Sequence, residues 1–278
     1  MSSPVDLLLI TWNRLEYVEK TLRHLLQDPA DFRLSCWDNG SQDGTADLIA
    51  ELDDPRVVRK RLSADNVMQR EPCLWFFEKA ESDLVGKIDD DILLPPGWTE
   101  RIAPMVRSEP RFGMLGCWIF LPEDWDESLA NHKILDVGGT RVFRNMWIAG
   151  QSFLARKDLM VSHIIPPGEH YGFPVDQRRM TAEGLINGYP LPLLMAHNMD
   201  DPRSPHCLMN RPGGMSEQAA LTARKRGIKT PEEYAAWIRD DARQILVEPL
   251  KTQLDWYRYQ TDRSIVGRLR RKLRPSPR

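Results

Sequence analysis

The sequence predicts an α/β fold built on a mainly parallel sheet flanked by helices, and three observations carry that expectation. Short apolar runs alternate with helically spaced ones over residues 5–88. Nearly every such run ends in polar residues, as strands do at the ligand-binding edge of an open parallel sheet. The last third of the chain is patterned as helix.

Taken in order, Val5–Thr11 (VDLLLIT) reads as a buried strand, and residues 14–27 place Leu15, Val18, Leu22 and Leu25 at helical spacing. Residues 34–37 form a second strand, followed by a turn and a helix carrying Leu48, Ile49 and Leu52. Val57–Leu62 is a third strand, a helix covers residues 74–80, and residues 84–88 (LVGKI) make a fourth strand. Strands joined through helices run parallel, with right-handed crossovers.

Residues 112–194 read as α+β, with aromatic-rich strands at 114–121, 140–143 and 148–154. Pro166, Pro167 and Gly168 mark a loop, residues 174–185 contain a helix, and an apolar strand over 191–196 runs into His197. Further on, Thr230, Pro231, Glu232 and Glu233 form a capping box with Pro at the first helical position. Tyr234, Ile238, Ala242 and Ile245 follow on one face of that helix.

The 278 residues suffice for one large domain or two small ones. The 41% apolar and 28% charged content is that of a globular protein, and a net charge of -2 excludes a bulk polyelectrolyte binder. No stretch has the length of apolar sequence that a membrane span needs, and Asp6, Arg14 and Glu16 stand where a signal peptide would be apolar. The expected location is therefore cytoplasmic. Cys36, Cys73, Cys117 and Cys207 are dispersed, which points to reduced, mostly buried thiols. Seven basic residues and no acid occupy residues 263–278, leaving an acidic body with a basic tail suited to the inner face of a membrane or to solvent. Nucleic acid is not an expected partner, because the tail has no interleaved aromatics.

Chemistry is expected where the strands end. The first runs into Thr11, Trp12, Asn13 and Arg14, the second into Asp38 to Thr45 (DNGSQDGT), and the fourth into Asp89, Asp90 and Asp91. Three adjacent carboxylates repel one another unless solvent or a cation screens them, and Mg²⁺ or Mn²⁺ is the natural screen. The competing reading is a solvated acidic turn in which Asp91 caps a helix. Asn39-Gly40 is a turn signal, and Ser41 or Asp43 suits a helix cap. Asp38, as the last residue of its strand, is expected to face the crevice, where a carboxylate can accept the N–H of a pyrimidine ring.

The segments VDLLLITWNR, CWDNGSQDGT and LVGKIDDDILLPPGW, in that order, resemble a GT-A fold glycosyltransferase of the large family 2 type, which uses nucleotide-sugar donors. AGQSFLARKD and residues 173–197 continue the likeness. The resemblance implies a nucleotide-sugar-binding half at 1–110, an acceptor-binding and catalytic half of the same domain at 111–212, and a helical C-terminal extension with its basic tail at 213–278. It gives Thr11 and Asp38 to the nucleotide base, with Asn13, Arg14 and Arg70 close by. Asp89 and Asp91 become the acids of a DxD motif beside Asp90. Asp91 is the preferred ligand of Mn²⁺ or Mg²⁺, with Asp89 and His197 alongside, and His206 is a rival for the place of His197.

The same resemblance offers Asp176 as the base that takes the acceptor proton in an inverting transfer, with Glu169 as the fallback. Val175 stands where the family commonly has an acid. It further implies a UDP-sugar as the preferred donor, a saccharide or lipid-linked acceptor, and a role in assembling cell-surface polysaccharide or glycoconjugate. Two alternatives accompany it. A sugar nucleotidyltransferase needs a Gly-rich, Arg-bearing loop after the first strand, where TWNR stands instead; the Gly138 to Arg141 string lies too late and reads as a turn into a strand. A non-catalytic nucleotide-sugar-binding protein is disfavoured by the intact Asp89 and Asp91.

Overall fold

The computed structural model describes residues 3–164, 174–215, 220–262 and 264. Glu169, the 166–168 loop and the basic tail apart from Ser264 lie outside the described residues. The elements are β1 (Val5–Thr11), α1 (Leu15–Gln27), β2 (Phe32–Asp38), α2 (Thr45–Glu51), β3 (Val57–Leu62), α3 (Arg70–Lys79), β4 (Leu84–Asp89), β5 (Ile92–Leu93) and α4 (Trp98–Ser108). They continue with β6 (Phe112–Gly116), α5 (Glu127–Ala130), β7 (Ile134–Val137), β8 (Thr140–Asn145), β9 (Ser152–Arg156), α6 (Lys157–His163) and α7 (Pro174–Ala182). The chain closes with β10 (Ile186–Pro190), β11 (His197–Asn198), α8 (Leu221–Lys225), α9 (Pro231–Val247) and α10 (Leu250–Thr261).

Among the described residues, nine strands form one sheet in the order β3-β2-β1-β4-β9-β6-β10-β8-β7. The four strands of the first half are parallel; β9, β8 and β7 run antiparallel to their neighbours. β1 is buried along its whole length, as a central strand covered on both faces must be, which explains its unbroken apolar run. Asp6 is the exception in that run, and it is satisfied. Its carboxylate accepts from Arg33 Nε at 2.7 Å and Nη2 at 2.9 Å, and from the amides of Glu81 and Ser82. Helix α1 seats Val18, Leu22 and Leu25 in the same core, following its sequence periodicity.

Two glycines serve close approach and turning. A Cβ on Gly86 would stand 2.4 Å from the Phe153 carbonyl, so only glycine lets β4 lie this near to β9. Gly138 and Gly139, both at positive φ, make the turn of the β7–β8 hairpin, which is the turn into a strand that the sequence indicates and not a phosphate loop.

Several boundaries differ from expectation. The strand expected at 148–154 is displaced to Ser152–Arg156, and the one at 114–121 stops at Gly116. The apolar stretch 191–196 is no strand, apart from an isolated bridge at Met195. Pro192 has no N–H to give a ladder, and β10 forms upstream over INGYP. The capping box of α9 is half made. Thr230 Oγ1 accepts from the Glu233 amide at 3.2 Å, but the Glu233 carboxylate takes the Lys229 amide, one residue earlier than the box requires. All four cysteines are buried and free. No helix of the described residues is long and apolar enough to cross a membrane.

Lys133 is buried beside the far half of the sheet. Its ammonium donates to Asn145 Oδ1 at 2.6 Å and to the Ile245 carbonyl at 2.5 Å, which ties α9 to the core. Burial pushes this amine down to about 8. Between that value and the ordinary lysine range the unfolded chain binds the extra proton, so stability contributed at this site rises with pH across the window. Relative to Lys133→Met, the wild type is expected to gain about 2 kcal/mol in unfolding free energy from pH 8 to pH 10, read by denaturant titration. A pH-independent difference would contradict this.

Candidate active site

The strand ends meet as the parallel register dictates. Thr11 pairs with Asp38 across β1 and β2, and Ile10 with Asp89 across β1 and β4. A cleft of about 540 Å³ opens beyond them, with Thr11, Asn39, Asp89, Asp90 and Asp91 in its lining. A ligand site at the carboxyl ends of a parallel sheet is the general rule for open α/β folds.

Asp38 is placed differently from its expected orientation. Its carboxylate is fully buried and does not line the cleft. It accepts from Thr11 Oγ1 at 3.0 Å, Ser41 Oγ at 2.5 Å and the Ser41 amide at 2.8 Å. The strand-end carboxylate is consumed in holding the two loops together, and Thr11 and Asn39 form the wall there. Asn13 plays a similar part. At φ +50 it donates its amide to Ser41 Oγ at 2.8 Å and accepts from the Gln42 amide at 2.7 Å, and it does not line the cleft. Asp43 caps both neighbouring helices, taking the amides of Leu15 and Thr45 at 2.9 and 3.1 Å.

Arg14, at the entry of α1, is the electrostatic centre. Its guanidinium lies 2.8 Å from Asp91, 3.5 Å from Asp90 and 2.5 Å from Asp200. Asp200 arrives from the loop after β11, which is fixed by the Met199 amide on the Asp91 carbonyl at 2.8 Å and by Tyr17 Oη donating to the Met199 carbonyl at 3.1 Å. The Arg14 guanidinium lies 4.5 Å over the Tyr17 ring. Burial pushes the Asp90 carboxyl up to about 8 and that of Asp200 to about 6, with Arg14 pulling both the other way. Asp89 is ion-paired with the buried Lys87, which also donates to the Gly150 carbonyl.

The residues suit a hard divalent cation. One oxygen of Asp91, Oδ1, is buried with no partner among the described residues, although the other accepts from Arg14. A carboxylate oxygen left bare at such a depth is what a cation would satisfy. Among the described residues, no group of three or more His, Cys, Asp and Glu side chains is arranged to hold a metal ion. A site of one or two carboxylates completed by substrate phosphates is typical of Mg²⁺ and Mn²⁺.

The structure does not bring His197 into the cleft. Its Nε2 is bonded to Ser204 Oγ at 2.7 Å, and His206 packs edge-on against it at 5.6 Å. Arg70 and Asp176 are brought together, away from the cleft lining, in a buried ion pair between α3 and α7. Arg203 pairs with Asp124 and Asp201 and braces a turn.

Two features of the cleft escaped sequence reasoning, the pairing of Asp200 with Arg14 and the wall that α9 supplies. Asp200 joins Arg14 from 186 residues away. The wall formed by Tyr234, Trp237, Ile238 and Asp241 on α9 comes from the C-terminal extension. The helical face carrying Tyr234 and Ile238 was visible in the sequence, but a 3.6-residue period is the same for a face packed on core and one packed along a cleft.

The nine-stranded mixed sheet, with an acidic strand end opening on a cleft, has the architecture of a GT-A glycosyltransferase. Residues 6–159 match the family model "Glycosyl transferase family 2", and the chain belongs to that family. The structure is similar to the mannosyltransferase PcManGT from Pyrobaculum calidifontis, solved in complex with GDP-Man and Mn²⁺: 15% identity, TM-score 0.58, covering 98% of this chain and 79% of that one. It is also similar to S. aureus TarS 1–349, at 12% identity and TM-score 0.54 over 94% and 93% of the two chains. The same TarS fragment in complex with UDP-GlcNAc matches at 11% identity and TM-score 0.52, over 88% of this chain and 82% of that one. No curated protein matches the chain in sequence.

Proposed function

We propose that this glycosyltransferase moves a sugar from a nucleoside diphosphate donor to an acceptor hydroxyl by single displacement with inversion, assisted by Mn²⁺ or Mg²⁺. The observation that carries the reading is the bare, buried Asp91 Oδ1 at the carboxyl end of the parallel strands, within a cleft large enough for a nucleotide sugar. The complexes of similar structures with GDP-Man and Mn²⁺ and with UDP-GlcNAc support the donor class and the ion.

In this reading Thr11 and Asn39 border the base, with Asp38 and Asn13 holding their loops. Asp91 would hold the cation, with Asp89 beside it. When bound, the cation offsets the negative charge that grows on the departing diphosphate. Arg14 supplies a second, fixed positive charge on the same side, preorganised by Tyr17 and its carboxylate partners. Asp176 is the base in this scheme. Its carboxylate must exchange Arg70 for the acceptor hydroxyl as the acceptor enters, and the guanidinium supplies the counter-charge until then.

The test is release of nucleoside diphosphate from UDP-, GDP- and dTDP-sugars with Mn²⁺ and with EDTA. One donor is expected to turn over with Mn²⁺ and to stop with chelator. Release from none of them under either condition would contradict the reading.

A further inference from the structure

Tyr234, Ile238 and Asp241 stand at i, i+4 and i+7 on α9, with Trp237 between them, and all four line the cleft. That spacing puts them along one helix face, and a rise of 1.5 Å per residue separates Tyr234 from Asp241 by about 10 Å along the axis. The two ends of this face meet different halves of the site. The Tyr234 phenol, pushed up mainly by burial, also feels Asp200 and Asp91, so this end adjoins the Arg14 cluster. Asp241 opposes ionisation of Tyr189 on β10, whose hydroxyl accepts the Ala149 amide at 3.2 Å. Ala149 and Trp147 line the cleft there, on the side remote from Thr11 and Asn39 in the order of the sheet.

A nucleotide lying over Thr11 and Asn39, with its diphosphate at Asp91, leaves the Asp241 end to whatever lies beyond the diphosphate. Asp241 is half-buried on the cleft wall and makes no hydrogen bond or ion pair among the described residues. Arg226 attracts it from a distance while its guanidinium lies 4.0 Å over the Trp237 ring. Trp237 is also stacked on Tyr234, at 5.7 Å and an interplanar angle of 5°, so its position is fixed. A half-buried carboxylate that lines a cleft without protein donors is free to accept hydrogen bonds from a ligand there. Vicinal sugar hydroxyls are paired donors, and indole surface suits the C–H edges of a sugar ring.

We propose that Asp241, with Trp147 and Trp237, forms the subsite for the acceptor saccharide, its carboxylate accepting hydrogen bonds from two acceptor hydroxyls. The assignment rests on the glycosyltransferase reading above. It gives the C-terminal helices a role in choosing the acceptor, whereas donor recognition stays with the strand ends. Asp241 is a binding residue here, and the reacting proton does not pass to it.

The experiment uses the full chain with Mn²⁺ and UDP or GDP, and the methyl glycosides of mannose, glucose, galactose and N-acetylglucosamine as probes, read by saturation-transfer NMR. At least one glycoside is expected to bind saturably. Asp241→Asn, which keeps size and removes charge, is expected to weaken it about tenfold or more. Trp237→Leu is expected to weaken it too, and in both variants nucleotide affinity by calorimetry should equal that of wild type. Unchanged glycoside binding in Asp241→Asn, or no saturable glycoside while nucleotide still binds, overturns this inference and leaves the function intact. Loss in Asp241→Asn of affinity for the nucleotide sugar relative to the free nucleotide places the carboxylate on the donor and also overturns it. Absence of nucleotide binding in the wild type defeats the underlying function as well.

Discussion

Replacing Arg14 by Met is expected to destabilise the chain by about 3 kcal/mol in metal-free buffer and to make Mn²⁺ far more stabilising than it is for wild type. Arg14 is the shared partner of Asp90, Asp91 and Asp200, and it is itself nearly enclosed, with a side chain 14% exposed. Removing one member of a buried ionic cluster leaves the others uncompensated, and that penalty exceeds the value of the pair itself. The stranded carboxylates have two remedies, protonation or a new cation. Protonation gives a pH signature. Carboxyls already raised to about 8 and about 6 by burial rise further without the guanidinium, so the folded state binds protons that the unfolded chain does not. The variant's deficit is therefore larger at pH 8 than at pH 5. A cation is the other remedy: Mn²⁺ bound only by the folded state adds stability in proportion to the logarithm of its saturation. Denaturant titrations at both pH values, with and without Mn²⁺, check each part. A variant as stable as wild type, or one that Mn²⁺ stabilises no more than wild type, would contradict this electrostatic picture.

The second large effect is expected at the Arg70–Asp176 pair. Asp176 is fully buried and Arg70 is 5% exposed, so Asp176→Leu removes a buried partner of the guanidinium and is expected to cost about 3–5 kcal/mol. The double variant Arg70→Met/Asp176→Leu removes both charges and should recover most of that loss, because apolar groups of similar volume replace a buried ion pair with little penalty. Transfer activity follows a different course. If Asp176 takes the acceptor proton, the double variant folds but does not transfer, while nucleotide still binds. Activity returning with stability would make Asp176 a brace between α3 and α7 and remove it from the mechanism.

The first half of this molecule was largely legible in its sequence, and the reasons are local. A short apolar run such as LLLI, bounded by turn residues, suits a strand covered on both faces, and its polar successor then stands at the sheet edge. The DNGSQDGT turn announces itself through Asn39-Gly40 and Asp43, and Asp43 does cap a helix start. Direction was less legible than position. Asp38 stands at the strand end but turns beneath the loops, because Ser41 and Thr11 offer it three donors at short range.

The rest depended on distant contacts. Nothing near Asp200 distinguishes it from Asp201, yet the first meets Arg14 while the second turns to Arg203. His197 is neighboured by Ser204 and His206 only once the loop after β11 folds back. Asp241 sits amid the charged residues of an amphipathic helix, and its place on the cleft wall appears only when α9 lies along the cleft.

The central claim is that Asp91 and a divalent cation together hold the donor at the carboxyl ends of β1 and β4. It is tested most directly by calorimetric titration of the donor sugar nucleotide into wild type and Asp91→Ala, each with Mn²⁺ and with EDTA. The claim predicts binding to wild type that EDTA abolishes and binding to Asp91→Ala weakened at least about a hundredfold, roughly 2.7 kcal/mol. Equal affinity in the two proteins, or affinity indifferent to chelator, would contradict it.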